Sequence, residues 1–272
     1  MEKYLYDLID ILIVVFFLFI SKKTADFLTK FDDDDAVEKG GNSAVALWRF
    51  GHYFGMAVAM SGVLGTETTL TDVLSFFCTG ALVTVLFFLS HYINRYLFLK
   101  GIDHSKLIGE GNAAVGLVEC GIYLASGLVL NGVLSGGGGG FLSAIGFFIL
   151  AQCVLAGAFL ITQKVYHIGI KDEIEGGNLS AGIVLSGVII SYAVILRSSV
   201  SGDFIGWGRG IISFFISALM GLAFLLLIQK AANYIFLPKT TLSVQIKNRN
   251  TAAVIVVEAI SLSVAIVIGQ VM

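Results

Sequence analysis

Residues 110–125 read EGNAAVGLVECGIYLA, and the same pattern returns three times: GGNSAVALWRFGHYFG at 40–55, GGNLSAGIVLSGVIIS at 176–191 and NRNTAAVIVVEAISLS at 248–263. The shared residues are Asn42, Asn112, Asn178 and Asn250, which lie 70, 66 and 72 residues apart. Repetition at a fixed period is the strongest organisational signal a sequence carries, because it makes one supersecondary unit the building block of the whole. Here each asparagine opens a long apolar run and follows a polar loop, which itself follows another long apolar run. The unit is a helix, a loop ending in Asn, and a second helix.

The apolar runs identify the solvent. Of 272 residues 57% are hydrophobic and only 13% charged, against about 45–50% and about 25% in soluble domains. The mean hydropathy is +0.90. Too few polar side chains exist to cover a soluble globule, so soluble enzymes and disordered scaffolds are excluded. A net charge of -2 offers no basic surface for nucleic acid. Eight stretches are long enough to cross a bilayer, which needs about 20 apolar residues: 5–27, 43–64, 70–99, 113–134, 141–166, 179–200, 208–237 and 251–271. They are continuous rather than alternating, so helices and not barrel strands are expected. The only proline, Pro238, stands where the seventh run stops.

The expected fold is therefore all-α and polytopic: eight transmembrane helices as four helical hairpin repeats in the same orientation. It divides into halves at residues 1–134 and 135–272, with Gly136 to Gly140 read as a flexible connector. Two helices per unit return the chain to one side, which is not the inverted arrangement of many transporters. The run Ile11 to Ile20 is followed by Lys22 and Lys23 without a small-residue cleavage site, and reads as a retained first span. Thirteen of the 17 Lys and Arg lie in or beside the Asn loops, three (Lys3, Arg197, Arg209) on the other side, and Arg49 within a span. The excess of basic residues on cytoplasmic loops places the Asn loops inside and both termini outside.

At the Asn-centred segments the chain resembles the domain of unknown function 350 family, bacterial inner-membrane proteins with an acidic, Gly-Asn element before a small-residue helix. EGNAAVGLVECGIYLASGLVLNGVL from Glu110 and EKGGNSAVALWRFGHYFGMAVAMSGVL from Glu38 carry the resemblance best. The third unit keeps EIEGGN from Glu173, while QIKNRN from Gln245 lacks both the acid and the Gly-Asn pair. The resemblance implies a bacterial inner membrane, an internal duplication and an envelope setting beside stress-response and peptide-ligating proteins. It implies no activity.

The asparagines suit helix capping, since Asn accepts a hydrogen bond from a first-turn N–H; the alternative is a polar ring at a cytoplasmic mouth. Nine residues after them come Gly51, Gly121, Gly187 and Ala259, and thirteen after come Gly55, Ala125, Ser191 and Ser263. Small residues at this spacing let helices approach closely, so the second helix of each unit is expected inside and the Phe- and Leu-rich first helix outside. Arg49 and Glu119, seven residues after their asparagines, and Glu258, eight after, are intramembrane charges of the kind that is rare and inward-facing. Equivalent placement suggests an Arg49–Glu119 ion pair. His52 shares the face of Arg49. Glu119, Glu258 and His52 could relay protons or ions; in the alternative, Arg49 and Glu119 staple two helices, Glu258 sits protonated and His52 is hydrogen-bonded.

The acidic run Asp32 to Asp35 reads as a solvated loop, with a divalent-cation site or a basic partner as alternatives. His104 and His167 have no metal-ligand spacing. Cys78, Cys120 and Cys153 sit in apolar runs as packing residues. No nucleophile elbow, P-loop or Cys-x-x-Cys element occurs, so no enzyme, no metal and no cofactor is expected. The function read from the sequence is a structural or partner-recruiting envelope component; the alternative is a channel or transporter for ions, protons or small solutes. Its partners are the lipid bilayer, a cytoplasmic or membrane protein, and a second copy of the chain.

Overall fold

The computed structural model describes residues 2–29, 32–64, 69–98, 101–166 and 169–271. Lys30, Lys100 and His167, on which the sequence reading drew, lie outside the described residues. The described chain is helical throughout and contains no strand. Four units follow one plan of long helix, short helix and long helix. The first is α1 (Glu2–Leu28), α2 (Asp33–Glu38) and α3 (Ser43–Ser61); the second is α4 (Leu70–Leu97), α5 (His104–Gly109) and α6 (Ala113–Leu134). The third is α7 (Gly140–Tyr166), α8 (Ile170–Glu175) and α9 (Leu179–Val200); the fourth is α10 (Trp207–Phe236), α11 (Leu242–Lys247) and α12 (Thr251–Val271). Seven of these are long and apolar enough to cross a membrane: α1, α4, α6, α7, α9, α10 and α12. The chain is a multi-pass membrane protein. α3 is absent from the seven because Arg49, His52 and its other polar residues lower its hydropathy.

The unit boundary is built by backbone geometry. The residue before each asparagine takes a left-handed conformation, with φ of 58° at Gly41, 89° at Gly111 and 74° at Gly177. That turns the chain so that the Asn N–H bonds back to a short-helix carbonyl, Ala36, Leu107 or Glu173. Glycine fits this turn without penalty. In the fourth unit Arg249 adopts φ 55° instead, a conformation that costs a side-chain-bearing residue about 1–2 kcal/mol. Its guanidinium donates to the Gly176 carbonyl of the preceding unit at 3.3 Å.

The second long helices form a row, α3 on α6, α6 on α9 and α9 on α12, and the first long helices pack outside it. The starts of neighbours are level: Gly116 lies against Ala44 and Gly182 against Ala114. All four helices of the row therefore run parallel. They touch at backbone level, since a Cβ on Gly51 would collide with the Cys120 backbone and one on Gly55 would lie 2.6 Å from the Tyr123 carbonyl oxygen. α6 and α9 are buried along their length, whereas α12, at the end of the row, exposes one whole side. The expectation that every second helix is internal thus fails at both ends, most at α12 and also on the α3 face that carries Phe50 and Phe54.

The five-glycine run is not a loose tether. Gly136 packs on the Gly202 carbonyl so closely that a Cβ would not fit, and Gly137 donates to Asp203 Oδ1 at 3.0 Å while accepting from the Phe204 N–H at 3.0 Å. Glycine serves here because these two loops, at the end away from the asparagines, meet backbone to backbone.

Gly51→Val should force α3 from α6 and lower the detergent melting temperature by the equivalent of about 1–3 kcal/mol or more. Gly157→Ala, on α7 where nothing lies within 4 Å, should raise it slightly, because Ala is the better helix former by about 1 kcal/mol. Thermal unfolding followed by circular dichroism reads both; equal effects would contradict the packing described.

Candidate functional site: asparagine links and a buried histidine cluster

Each asparagine side chain works in two directions. Asn42 Oδ1 accepts from the N–H groups of Ala44 and Val45 at 3.0 and 3.2 Å, capping α3. Its Nδ2 donates to the carbonyls of Ile108 and Gly109 at 3.0 and 3.1 Å, at the end of the next unit's short helix. Asn112 repeats both roles, capping α6 and donating to Ile174 and Glu175 at 3.1 and 3.0 Å. Asn178 caps α9 through Ser180 and donates to Ile246 at 2.7 Å and to Glu173 Oε2 at 2.8 Å. Asn250 differs: its amide donates within its own unit, to Gln245 Oε1 at 2.8 Å. The four do not ring a mouth; the first three link the short helices in a line.

Position 7 after the asparagine clamps the short helix of its own unit. Arg49 Nε donates to Asp33 Oδ2 at 2.7 Å and Nη2 to Asp34 Oδ1 at 2.6 Å, with Asp26 Oδ1 at 3.7 Å. Glu119 is hydrogen-bonded to His104 Nδ1 of α5. The expected Arg49–Glu119 pair is therefore not formed. Residues at the same offset in parallel, translated helices point the same way and so cannot face each other. The acidic run is not a solvated loop either: Asp32 caps α2, Asp33 and Asp34 hold Arg49, Asp34 also holds Lys22 at 3.0 Å, and Asp35 holds Lys39 at 2.8 Å. The hydrogen bond from Arg49, and then that from Lys22, keep the Asp34 carboxyl below its ordinary 3.8. Among the described residues no group of three or more His, Cys, Asp or Glu is arranged to hold a metal ion.

Around Trp48 the first two units enclose a polar cluster. His52, 2% exposed, donates from Nε2 to the Ser21 carbonyl at 3.1 Å, with Thr24 Oγ1 at 3.4 Å. A carbonyl only accepts, so Nε2 carries the proton; Nδ1 has no hydrogen-bond partner. The His52 ring stands edge-on to Tyr123, centroids 4.7 Å apart, and the Tyr123 hydroxyl shares a 2.7 Å hydrogen bond with His91 Nδ1. His91, His104, Glu119 and Trp48 line a cavity of about 30 Å³, enough for one water-sized molecule. Three of the four histidines thus converge on α1, α3, α4, α5 and α6.

Glu258 stands apart, wedged between α9 and α12 with Oε2 2.5 Å from where a Cβ on Gly187 would be. It is buried, and neither carboxyl oxygen has a hydrogen-bond partner. The packing residues divide as well: Gly51, Gly55, Gly121, Ala125, Gly187 and Ser191 are at joins or nearly enclosed, while Ala259 and Ser263 are exposed. His91, Tyr123 and the clasp at the end away from the asparagines, in which Asn131 donates to the Val58 carbonyl and accepts from Arg197 Nε, were not singled out by sequence. Lone polar residues in apolar runs carry no spacing signal; only their offset from Asn, 19 for both Asn131 and Arg197, marks them.

Fold and site define a multi-pass membrane protein of internally repeated helical units. The chain belongs to the family described as Domain of Unknown Function (DUF350), whose profile matches it twice, over residues 3–134 and 138–272. Each match holds two of the asparagine units. The chain is similar to the UPF0719 transmembrane protein of Aquifex aeolicus (strain VF5), at 24% identity over 273 residues covering 96% of this chain and 98% of that one. No solved structure matches it.

A double-substitution cycle checks the clamps. Removing one member of a buried pair costs about 3–5 kcal/mol when the other is left unpaired. Arg49→Ala and Asp33→Ala together should therefore cost clearly less than their sum, as should Glu119→Ala with His104→Ala. Arg49→Ala with Glu119→Ala should be additive in melting temperature; coupling between those two would contradict the geometry.

Proposed function

We propose that the protein is a scaffold of the bacterial inner membrane, with its four short helices forming a cytoplasmic surface on which a protein partner docks. Both termini then lie outside, in line with the thirteen-to-three division of Lys and Arg. In this reading α3 is an eighth span and the units are four hairpins of one sense. Its support is that α3 accompanies α6 from Ala44 beside Gly116 to Gly62 beside Asn131. The polar residues that lower its hydropathy are met by protein: Arg49 by the acids of α2, and His52 by α1.

The observation that carries the reading is the line of asparagine bonds. It fixes α2, α5, α8 and α11 relative to one another, so that loop-side charges such as Lys39, Asp35, Lys106 and Glu110 stand at set positions while remaining exposed. A preorganised surface binds without the entropy cost of ordering loops. Where the first two units meet, Ala36, Gly41, Asn42, Ser43, Glu110 and Gly111 line an open cleft of about 430 Å³. The buried pairs are accounted for as clamps that hold this surface on the bundle.

Transport of ions, protons or small solutes is the competing reading, and the observation in its favour is Glu258, a buried carboxyl without a partner. Against it, Arg49, Glu119 and Glu258 serve three separate contacts rather than one path. In reconstituted vesicles the scaffold should pass no more ions or protons than protein-free controls. In cells, a photo-crosslinking residue at Lys106 or Glu110 should trap a protein that the same residue at Gly208, at the opposite end, does not. Flux abolished by Glu119→Gln or Glu258→Gln would overturn the assignment.

A further inference from the structure

One contact, used three times, builds the row of parallel helices. Counted from each asparagine, position 9 of one helix meets position 8 of the next: Gly51 on Cys120, Gly121 on Ser186 and Gly187 on Glu258. Position 2 meets position 4, as Ala44 on Gly116 and Ala114 on Gly182. Near the far end position 20 meets position 19, as Gly62 on Asn131 and Gly132 on Arg197. Each helix thus presents a front (positions 2, 9 and 20) and a different back (positions 4, 8 and 19). Such a contact is head-to-tail, and three joins among four helices leave one front and one back unused.

The unused front is on α12 and the unused back on α3. At the joins, the residues at front positions 2 and 9 and back positions 4 and 8 are buried, Gly187 alone being half-buried. On α12 the same front positions, Ala252, Ala259 and Gln270, are exposed; on α3 the same back positions, Ala46, Phe50 and Ser61, are exposed. The two faces differ in shape. The front of α12 is a strip of small side chains, Ala252, Ala259 and Ser263. The back of α3 carries Phe50 and Phe54, half exposed and stacked on each other at 5.3 Å and 10°. The asparagine line is open at the same two places. Asn250 donates within its own unit, to Gln245, and among the described residues no asparagine donates to the Glu38 and Lys39 carbonyls, the counterparts of those that Asn42 and Asn112 bind.

We propose that a second copy of the chain continues the row, the front of α12 receiving the back of the neighbour's α3 in the internal register. Ala259 then meets the neighbour's position 8, Ala252 its position 4 and Gln270 its position 19, and the Asn250 amide is free to leave Gln245 for the short helix ahead. Small side chains facing aromatic rings give the shape match that helix association inside a membrane relies on. The join is wider than the internal ones, because Ala259 carries a methyl where they have glycine. A head-to-tail contact either closes into a ring or grows as a filament. The inference stands apart from the docking reading, since it concerns a membrane-embedded face rather than the loop surface.

Cysteine cross-linking tests it. In a background carrying Cys78→Ser, Cys120→Ser and Cys153→Ser, the pair Ala46→Cys with Ala252→Cys is oxidised in native membranes. Disulfides require Cα atoms within about 7 Å, so the register predicts a ladder of dimers and larger species from the double variant and none from either single variant. Phe50→Cys with Ala259→Cys should give the same ladder. Ala46→Cys with Ala231→Cys, on an exposed face of α10 near the same loop end, serves as the collision control. Monomer alone from both pairs would overturn the proposal, as would a dimer from Ala252→Cys by itself or a ladder equally strong in the control. As a second reading, Ala259→Trp should shift the uncross-linked protein to the monomer in native mass measurements while its melting curve stays cooperative. An unchanged oligomer in that variant would also overturn it.

Discussion

The carboxamide of a helix-capping asparagine is an acceptor and a double donor at once, and the loop side of this molecule depends on both functions being used. Oδ1 closes the first turn of the helix it precedes, and Nδ2 closes the exposed carbonyl end of the neighbouring unit's short helix. Serine and threonine cap as well but lack the reach of a forked group, and aspartate has no donor. Because one rigid group makes both contacts, the start of each helix is level with the start of the next. That levelling places position 9 against position 8, where glycine allows backbones to touch. The register of the whole row thus begins in one polar group at the membrane boundary, where an unsatisfied donor or acceptor is expensive.

Within that frame the units have diverged. The first two fill position 7 with Arg49 and Glu119, each gripping its own short helix. The third and fourth have Leu185 and Val257 there, both buried. The short helix is held to the bundle by a polar contact at position 7 in one half, while in the other α8 buries Ile170 and Ile174 and α11 buries Leu242 and Ile246. The fourth unit gives up the left-handed glycine for Arg249, which offsets the strain with a bond to the third unit's turn.

Much of the architecture was legible because it rests on period and composition. Repeated asparagines, apolar runs and small residues at fixed offsets are visible in one dimension, and they lead to an all-helical membrane protein of repeated units. The six-residue helices were not, since fewer than two turns show no amphipathic period and their residues read as polar loop. The Arg49–Glu119 expectation failed for a geometric reason: equal offsets in a translated repeat give parallel directions, whereas a contact needs a front and a back. Pairing His104 with Glu119 depends on how α5 folds onto α6, and gathering His52, His91 and Tyr123 on how the first long helices lie over the row. The asparagine spacing carries no information on that.

The most direct test of this account is the substitution Asn112→Asp. Aspartate keeps the capping oxygen and adds a charge favoured at a helix N-terminus, but it cannot donate to the Ile174 and Glu175 carbonyls. Two lost hydrogen bonds at about 0.5–1.5 kcal/mol each should lower the detergent melting temperature, though less than Asn112→Ala, which loses the cap as well. A melting temperature equal to or above that of the unmodified protein would mean that capping alone is the asparagine's role, and that something other than these amides sets the register of the row.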